Sequence, residues 1–258
     1  MKRFIVAIDQ GTTSSRAILF SLSGKNIYSS QKEFRQYFPK DGWVEHNPNE
    51  IWNTTKKVLI DVINKSKKLK GKILTIGITN QRETTILWNK KTGKPVYNAI
   101  VWQDRRTAEF CKKFKTNKKE KFINRRTGLL IDPYFSATKI KWILDNVVTA
   151  KRLSRNNNLL FGTIDTFLLW KLTKGKIHAT DATNASRTML FNISRNKWDK
   201  DILKILNIPK NILPTVKDSS DDFGATDKSI TGTSYPINGV VGDQQASTIG
   251  QSCFEKGS

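Results

Sequence analysis

The sequence predicts an α/β domain with a mixed β-sheet flanked by helices. Three observations carry that expectation. Short β-prone runs at residues 4–9, 17–20 and 27–34 follow one another through tight turns; an amphipathic stretch with a helix-start signal comes next, at 47–63; and another β-prone run, 73–79, follows it. Strands joined by tight turns run antiparallel, whereas a strand reached through a helix can return parallel. The order β-β-β-α-β therefore puts both senses in one sheet and departs from a purely parallel Rossmann pattern.

Residues 4–9 are apolar almost without a break as far as Asp9, the pattern of a central strand buried on both faces. Gln10-Gly11-Thr12-Thr13-Ser14-Ser15 then turns the chain with small hydroxyl residues, and Ser23-Gly24-Lys25-Asn26 reads as a hairpin turn before the third strand. At the helix start Asn47 stands in the cap position and Pro48 in the first helical one, while Glu50 is placed to close a capping box. Ile51, Trp52, Thr55, Val58, Leu59, Val62 and Ile63 share one helical face. Residues 84–88 and 96–101 add β-prone segments. Helices are expected at 107–115, 136–147, 165–172 and 199–206, and a last apolar strand at 237–241 leads into Gly242-Asp243-Gln244-Gln245 and a small-residue helix start. No repeat, low-complexity segment or linker interrupts the chain. Position 258 falls just after this last unit begins, an awkward place for a domain to end.

The 258 residues carry 45 Lys and Arg against 22 Asp and Glu, a net charge of +23. Disorder is excluded, because 13 Phe, 7 Trp and 5 Tyr supply a core. The charge raises the question of nucleic acid, whose backbone releases counterions to clustered cations. Here 33 of the cations are Lys and only 12 Arg, scattered over what read as helix faces and turns, so a solvated surface is expected and no nucleic-acid partner. The longest mostly apolar stretch, 159–170, is broken by Gly162, Thr163, Asp165 and Thr166 and falls short of the ~20 residues of a membrane span. The apolar run after Lys2-Arg3 stops at Asp9, too soon for a signal peptide, so the amino terminus reads as mature and cytoplasmic. Cys111 and Cys253 have no close Cys or His partner and form neither a disulfide framework nor a metal-ligand spacing.

Asp9 stands where the first strand emerges, ahead of a glycine and four hydroxyl residues. A carboxylate there can hold a hydrated Mg²⁺ beside a turn that cradles phosphate oxygens, or it can merely satisfy local amides. No Gly-Lys-Ser/Thr ending occurs, which excludes a P-loop. Asp243 follows another apolar strand and Gly242; it can accept a proton from a hydroxyl or hold metal, or it can cap the next helix. Arg82 and Glu83 can bind a polyol or pair with each other. Trp102 and Tyr134 can hold a small polyhydroxylated ligand or fill core. No Ser/His/Asp constellation supports triad hydrolysis.

Seven blocks run in order along nearly the whole chain. They are Asp9-Gln10-Gly11-Thr12-Thr13-Ser14-Ser15-Arg16, Gly42-Trp43-Val44-Glu45-His46, Gly77-Ile78-Thr79-Asn80-Gln81-Arg82-Glu83-Thr84-Thr85, Asn98-Ala99-Ile100-Val101-Trp102-Gln103, Ile131-Asp132-Pro133-Tyr134-Phe135-Ser136, Thr183-Asn184-Ala185-Ser186-Arg187-Thr188-Met189-Leu190-Phe191-Asn192 and Gly242-Asp243-Gln244-Gln245. Together they resemble the FGGY carbohydrate-kinase family. Blocks 80–85 and 183–192 resemble its glycerol-phosphorylating members in particular.

The resemblance implies an actin-like, ribonuclease-H-like fold and ATP- and Mg²⁺-dependent phosphoryl transfer to glycerol. It implies Asp243 as the general base, Arg82, Glu83, Tyr134, Gln244 and Asp243 around the glycerol hydroxyls, and Trp102 on the glycerol carbons. It further implies Thr12, Thr13, Ser14 and Arg16 toward the nucleotide, with Asp9 and Asp243 on the metal side. Residues 1–250 would form the N-terminal domain and 251–258 the start of a second, nucleotide-binding domain, otherwise absent; a homo-oligomer is compatible. Residues 227–235 depart from the pattern: where some bacterial members carry a glycine-rich loop ending in Arg that binds fructose 1,6-bisphosphate, this chain has one Gly and no Arg. A rival reading is a non-catalytic glycerol-binding or interaction module.

Overall fold

A computed structural model describes residues 2–257; Ser258, the end of the expected second-domain segment, lies outside them. The central sheet has five strands in the spatial order Ile237–Gly242, Gly71–Asn80, Lys2–Gln10, Ser14–Ser21, Asn26–Glu33. The first three are mutually parallel, and the last two complete an antiparallel meander from Lys2–Gln10. The sheet is mixed, as the element order predicts.

One 21-residue helix, Pro48–Lys68, lies across it. Its Ile51, Val58, Leu59, Val62 and Ile63 form one cluster with Phe4, Val6, Ile8, Leu19, Ile76 and Ile78 of the sheet. The Asn47 side chain caps the helix by accepting the Asn49 N–H. The expected capping box does not form: the Glu50 carboxylate accepts instead from the Arg35 N–H and the Tyr37 hydroxyl, tying the helix to the segment after the third strand.

The first strand is not buried on both faces. Phe4, Val6 and Ile8 are buried beneath the helix, but Ile5 is 36% exposed and Ala7 and Asp9 are only partly covered. Period-two alternation sends these odd-numbered residues to the opposite face. The segments expected at 84–88 and 96–101 leave the central sheet: Ile86–Asn89 pairs with Leu159–Gly162, and only Ala99–Ile100 of the second joins Glu45–His46 and Gln36–Tyr37.

Helices Ala108–Phe114, Ser136–Asn146, Ile164–Leu172 and Lys200–Leu206 stand within a residue of expectation at each end. Asn117–Thr127 and Val148–Arg155 are additional ones. A second apolar cluster, including Ile140, Ile143, Leu159, Phe161, Leu190 and Ile202, supports this outer layer. Among the described residues no helix is long and apolar enough to cross a membrane, and Cys111 is a buried free thiol that burial pushes up to about 11.

Candidate active site

Register brings three chain segments to one edge. Gln10, Asn80 and Gly242 occupy one row across the parallel strands, so Gly11, Gln81 and Asp243 leave the sheet side by side. The carboxyl end of parallel strands is where open α/β sheets bind ligands. Gln81 ties the row together: its N–H donates to Gln10 O (2.8 Å) and its side-chain amide to Gly11 O (3.0 Å). On the other side Gly242 N–H donates to Thr183 Oγ1 (2.7 Å), and that hydroxyl donates to Asp181 (2.6 Å).

Between these segments lies a cavity of about 110 Å³, lined by Thr12, Gln81, Arg82, Glu83, Trp102, Tyr134, Asp243 and Gln244. A larger groove, about 560 Å³, lies apart along residues 192–201 and 210–216. The smaller cavity is the candidate because it stands at the carboxyl ends of the parallel strands and gathers two carboxylates, a guanidinium, two amides and two aromatic rings, whereas the larger groove lies away from that sheet edge.

Arg82 and Glu83 do not pair with each other. The Arg82 side chain, 4% exposed, donates through Nη1 and Nη2 to Gln245 and Gln244, and its Nε lies 3.5 Å from Asp243 Oδ1. Glu83 turns the other way: it has φ +58°, in the left-handed region, and its carboxylate accepts from Arg187 Nε at 2.6 Å. Burial raises the Glu83 carboxyl above its ordinary range, with Arg187 opposing the shift. The Arg187 guanidinium also lies over the rings of Phe135 and Tyr134.

Trp102 and Tyr134 meet edge to face at 5.7 Å, both half-buried. Burial raises the Tyr134 hydroxyl as well. Trp102 Nε1 donates to Thr12 Oγ1 at 3.0 Å, so Thr12 belongs to the cavity wall. Its neighbours in the hydroxyl turn stand outside the cavity: Thr13 is exposed, and Ser14 Oγ accepts from the Gln31 amide.

Asp9 satisfies no local amide; Arg16, directly opposite on the neighbouring strand, forms an ion pair with it. Asp243 is the first residue of the helix Asp243–Gly250, whose cap is Gly242, and its carboxylate is 47% exposed. Asp9 and Asp243 emerge at the same sheet end two strands apart, a lateral spacing of ~10 Å. Among the described residues no cluster of three metal-ligating side chains forms. Each carboxylate faces a guanidinium, Asp9 that of Arg16 and Asp243 that of Arg82, and at this spacing the two could share one Mg²⁺ only through the waters that the ion keeps.

All six residues expected around the polyol thus share one cavity. Sequence reasoning left Gln81 and Arg187 without roles, although both stand in the blocks quoted for the resemblance.

The model of the FGGY family of carbohydrate kinases, N-terminal domain, matches residues 4–250. Similar curated proteins include the glycerol kinases of Petrotoga mobilis, 57% identical over 257 residues, and of Caldanaerobacter subterraneus subsp. tengcongensis, 58% identical over 257. Each alignment covers 100% of this chain and 52% of the relative, so the chain spans about half the length of the curated relatives it matches. Among solved structures, Plasmodium falciparum glycerol kinase with ADP superposes with TM-score 0.93 at 37% identity, over 99% of this chain and 51% of that one. A gluconate kinase from Lactobacillus acidophilus, TM-score 0.86 and 24% identical over 98% of this chain and 50% of that one, shares the fold.

Proposed function

The chain belongs to the FGGY family of carbohydrate kinases, and on that premise we propose that it is the glycerol-binding, N-terminal half of an ATP-dependent glycerol kinase. The observation that carries the reading is the small cavity, in which one carboxylate, one guanidinium and one amide stand close together on one wall and two aromatic rings on another. Hydrogen-bonding groups beside aromatic faces suit a small polyol.

In this reading Asp243 accepts the proton of the attacking terminal hydroxyl as that oxygen bonds to the γ-phosphorus and the bridge to ADP breaks. Arg82 and Gln244 donate to the glycerol hydroxyls, Glu83 accepts from one, and the Trp102 face covers the carbons. Holding the nucleophile in line is most of what such a reaction asks of a protein. Asp9 and Asp243 would hold Mg²⁺, which neutralises phosphate charge when bound with ATP. Thr13, Ser14 and Arg16, at the same sheet end, would face the nucleotide.

The proposal includes residues 1–250 as one domain, with 251–258 leading to a second, nucleotide-binding one, and a cytoplasmic setting where ATP is the donor. Because closure excludes water and aligns the phosphoryl group, the 258 residues alone should bind glycerol weakly and turn over slowly. Calorimetric titration with glycerol and with a five-carbon polyol tests the reading. Saturable binding of glycerol alone supports it; equal binding of both, or of neither, overturns it.

A further inference from the structure

Glu83 and Tyr134, which line the cavity, come from distant parts of the chain. What joins them is the start of the helix Ser136–Asn146. Glu83 holds its left-handed conformation while its carbonyl collects three donors: Ser136 Oγ at 3.0 Å, Thr85 Oγ1 at 3.1 Å and Lys139 Nζ at 3.4 Å. Lys139 Nζ also donates to the Tyr134 carbonyl at 2.6 Å. The Lys139 side chain is completely buried, 0% exposed, and no carboxylate forms an ion pair with it among the described residues.

A lysine is an expensive residue to bury, and burying one whose ammonium meets only carbonyl oxygens is more so. Left-handed backbone at a non-glycine residue likewise persists only where its surroundings over-determine it. Both unfavourable features occur at the same atom, Glu83 O, directly behind a residue of the cavity. We propose that Lys139, seconded by Ser136, is a positioning residue that locks the Glu83 and Tyr134 backbones together and thereby sets the spacing of the polyol cavity.

The inference rests on the glycerol reading for its effect on affinity, but not for its effect on the backbone. The charged groups facing Lys139 are Glu83, Asp104, Asp132 and Arg106, and burial lowers the ammonium to about 7, against the pull of the three carboxylates. Loss of its proton weakens two charge-assisted hydrogen bonds. Glycerol affinity should therefore decline as pH rises through neutrality, and this component should vanish with Lys139.

The test compares wild type, Lys139→Met and Ser136→Ala by amide hydrogen exchange without glycerol and by glycerol titration at pH 6 and pH 9. Lys139→Met is expected to accelerate exchange at residues 84–85 about tenfold while 73–79 in the central sheet keep their protection, to raise the glycerol dissociation constant about tenfold, and to abolish its wild-type rise with pH. Ser136→Ala should act in the same direction with smaller effect. Unchanged exchange at 84–85 in both variants overturns the inference, as does exchange that rises equally throughout the sheet. Should Lys139→Met fail to fold, Ser136→Ala decides by the same local comparison. Should wild type fail to bind glycerol, the glycerol reading falls, and the exchange data still decide the role of Lys139.

Discussion

Gly242 stands immediately before Asp243 with φ −63° and ψ 148°, a conformation open to any residue. Its missing side chain therefore provides space, not backbone freedom. A Cβ at 242 would stand 2.3 Å from Arg82 Cδ and 2.9 Å from Arg82 Cγ, where carbon atoms ordinarily approach to about 3.5–4.0 Å. In Gly242→Ala the Arg82 side chain has to move by roughly 1.2 Å, which it cannot do while its guanidinium keeps both Gln244 and Gln245. Each hydrogen bond to a charged group contributes about 1.5–3 kcal/mol. Losing one or two from the bound polyol should weaken glycerol binding by about 3 kcal/mol, on the order of 100-fold. The assay is calorimetric titration of wild type, Gly242→Ala, Arg82→Ala and the double variant, each checked by thermal melting. Once Arg82 is truncated the new methyl has room, so the double variant should bind no worse than Arg82→Ala. Gly242→Ala binding within about threefold of wild type, or losses that simply add in the double variant, would refute the reasoning.

Asp243→Asn keeps the shape of the side chain but cannot accept a proton, so phosphoryl transfer by the complete enzyme should fall about 10²–10⁴-fold with glycerol affinity nearly unchanged; equal losses of rate and affinity would contradict the assignment. Arg187→Met strands the Glu83 carboxylate, 2% exposed, and should cost roughly 2–4 kcal/mol in urea unfolding, with Glu83→Gln restoring most of it; a loss that Glu83→Gln leaves untouched would show that the pair is not the cause. His178 is held neutral, pushed down to about 4 by burial while its Nε2 donates to Phe161 O at 2.8 Å. The unfolded chain takes up this proton near pH 6.5, so stability present above that pH is lost as pH falls toward 4, roughly 2 kcal/mol by pH 4.5. Burial raises Asp165 to about 6 and acts in the opposite sense over the same range, but equally in wild type and His178→Gln. Unfolding free energies measured from pH 7 to 4.5 should therefore diverge between the two, and parallel profiles would rule the assignment out.

The central sheet was legible because its signals are local. Tight turns at 10–15 and 23–26, an Asn-Pro helix start and a period-two or 3.6-residue apolar pattern each act within a few residues. What escaped has a physical reason in each case. The helix Asn117–Thr127 fully buries only Ile123 and Thr127, with Phe122 partly covered, and carries five cationic residues, so its stripe is too narrow to read, although Thr116 caps its start and Gly128, φ +73°, closes it. The apolar run 4–9 looked buried on both faces because composition does not show which face a helix covers; side-chain alternation assigned Ile5 to the open one. Glu50 had the spacing of a capping box, but a tertiary partner, the Tyr37 hydroxyl, outcompeted the local backbone N–H.

The candidate site divides along the same line. Residues that line the cavity carry chemistry that spacing alone leaves open, a helix cap for Asp243 and core filling for Trp102 and Tyr134, and it is the resemblance that gathers them into one site. Residues that hold those residues in place are harder still to read, because their partners are remote: Thr183 grips Gly242 from 59 positions away, Arg187 grips Glu83 from 104, and Lys139 reaches the Glu83 carbonyl across 56. Arg82 and Glu83 show the consequence most sharply. Adjacent and oppositely charged, they invite the reading of a mutual ion pair. One left-handed residue reverses it: with Glu83 at φ +58° the two side chains find separate partners, Arg82 the helix of Asp243 and Glu83 the guanidinium of Arg187. The backbone twist that makes a binding wall from two neighbouring charges costs about 1–3 kcal/mol in isolation. It leaves no mark in sequence, because the donors that stabilise it, Thr85, Ser136 and Lys139, are ordinary residues until the fold gathers them at one carbonyl.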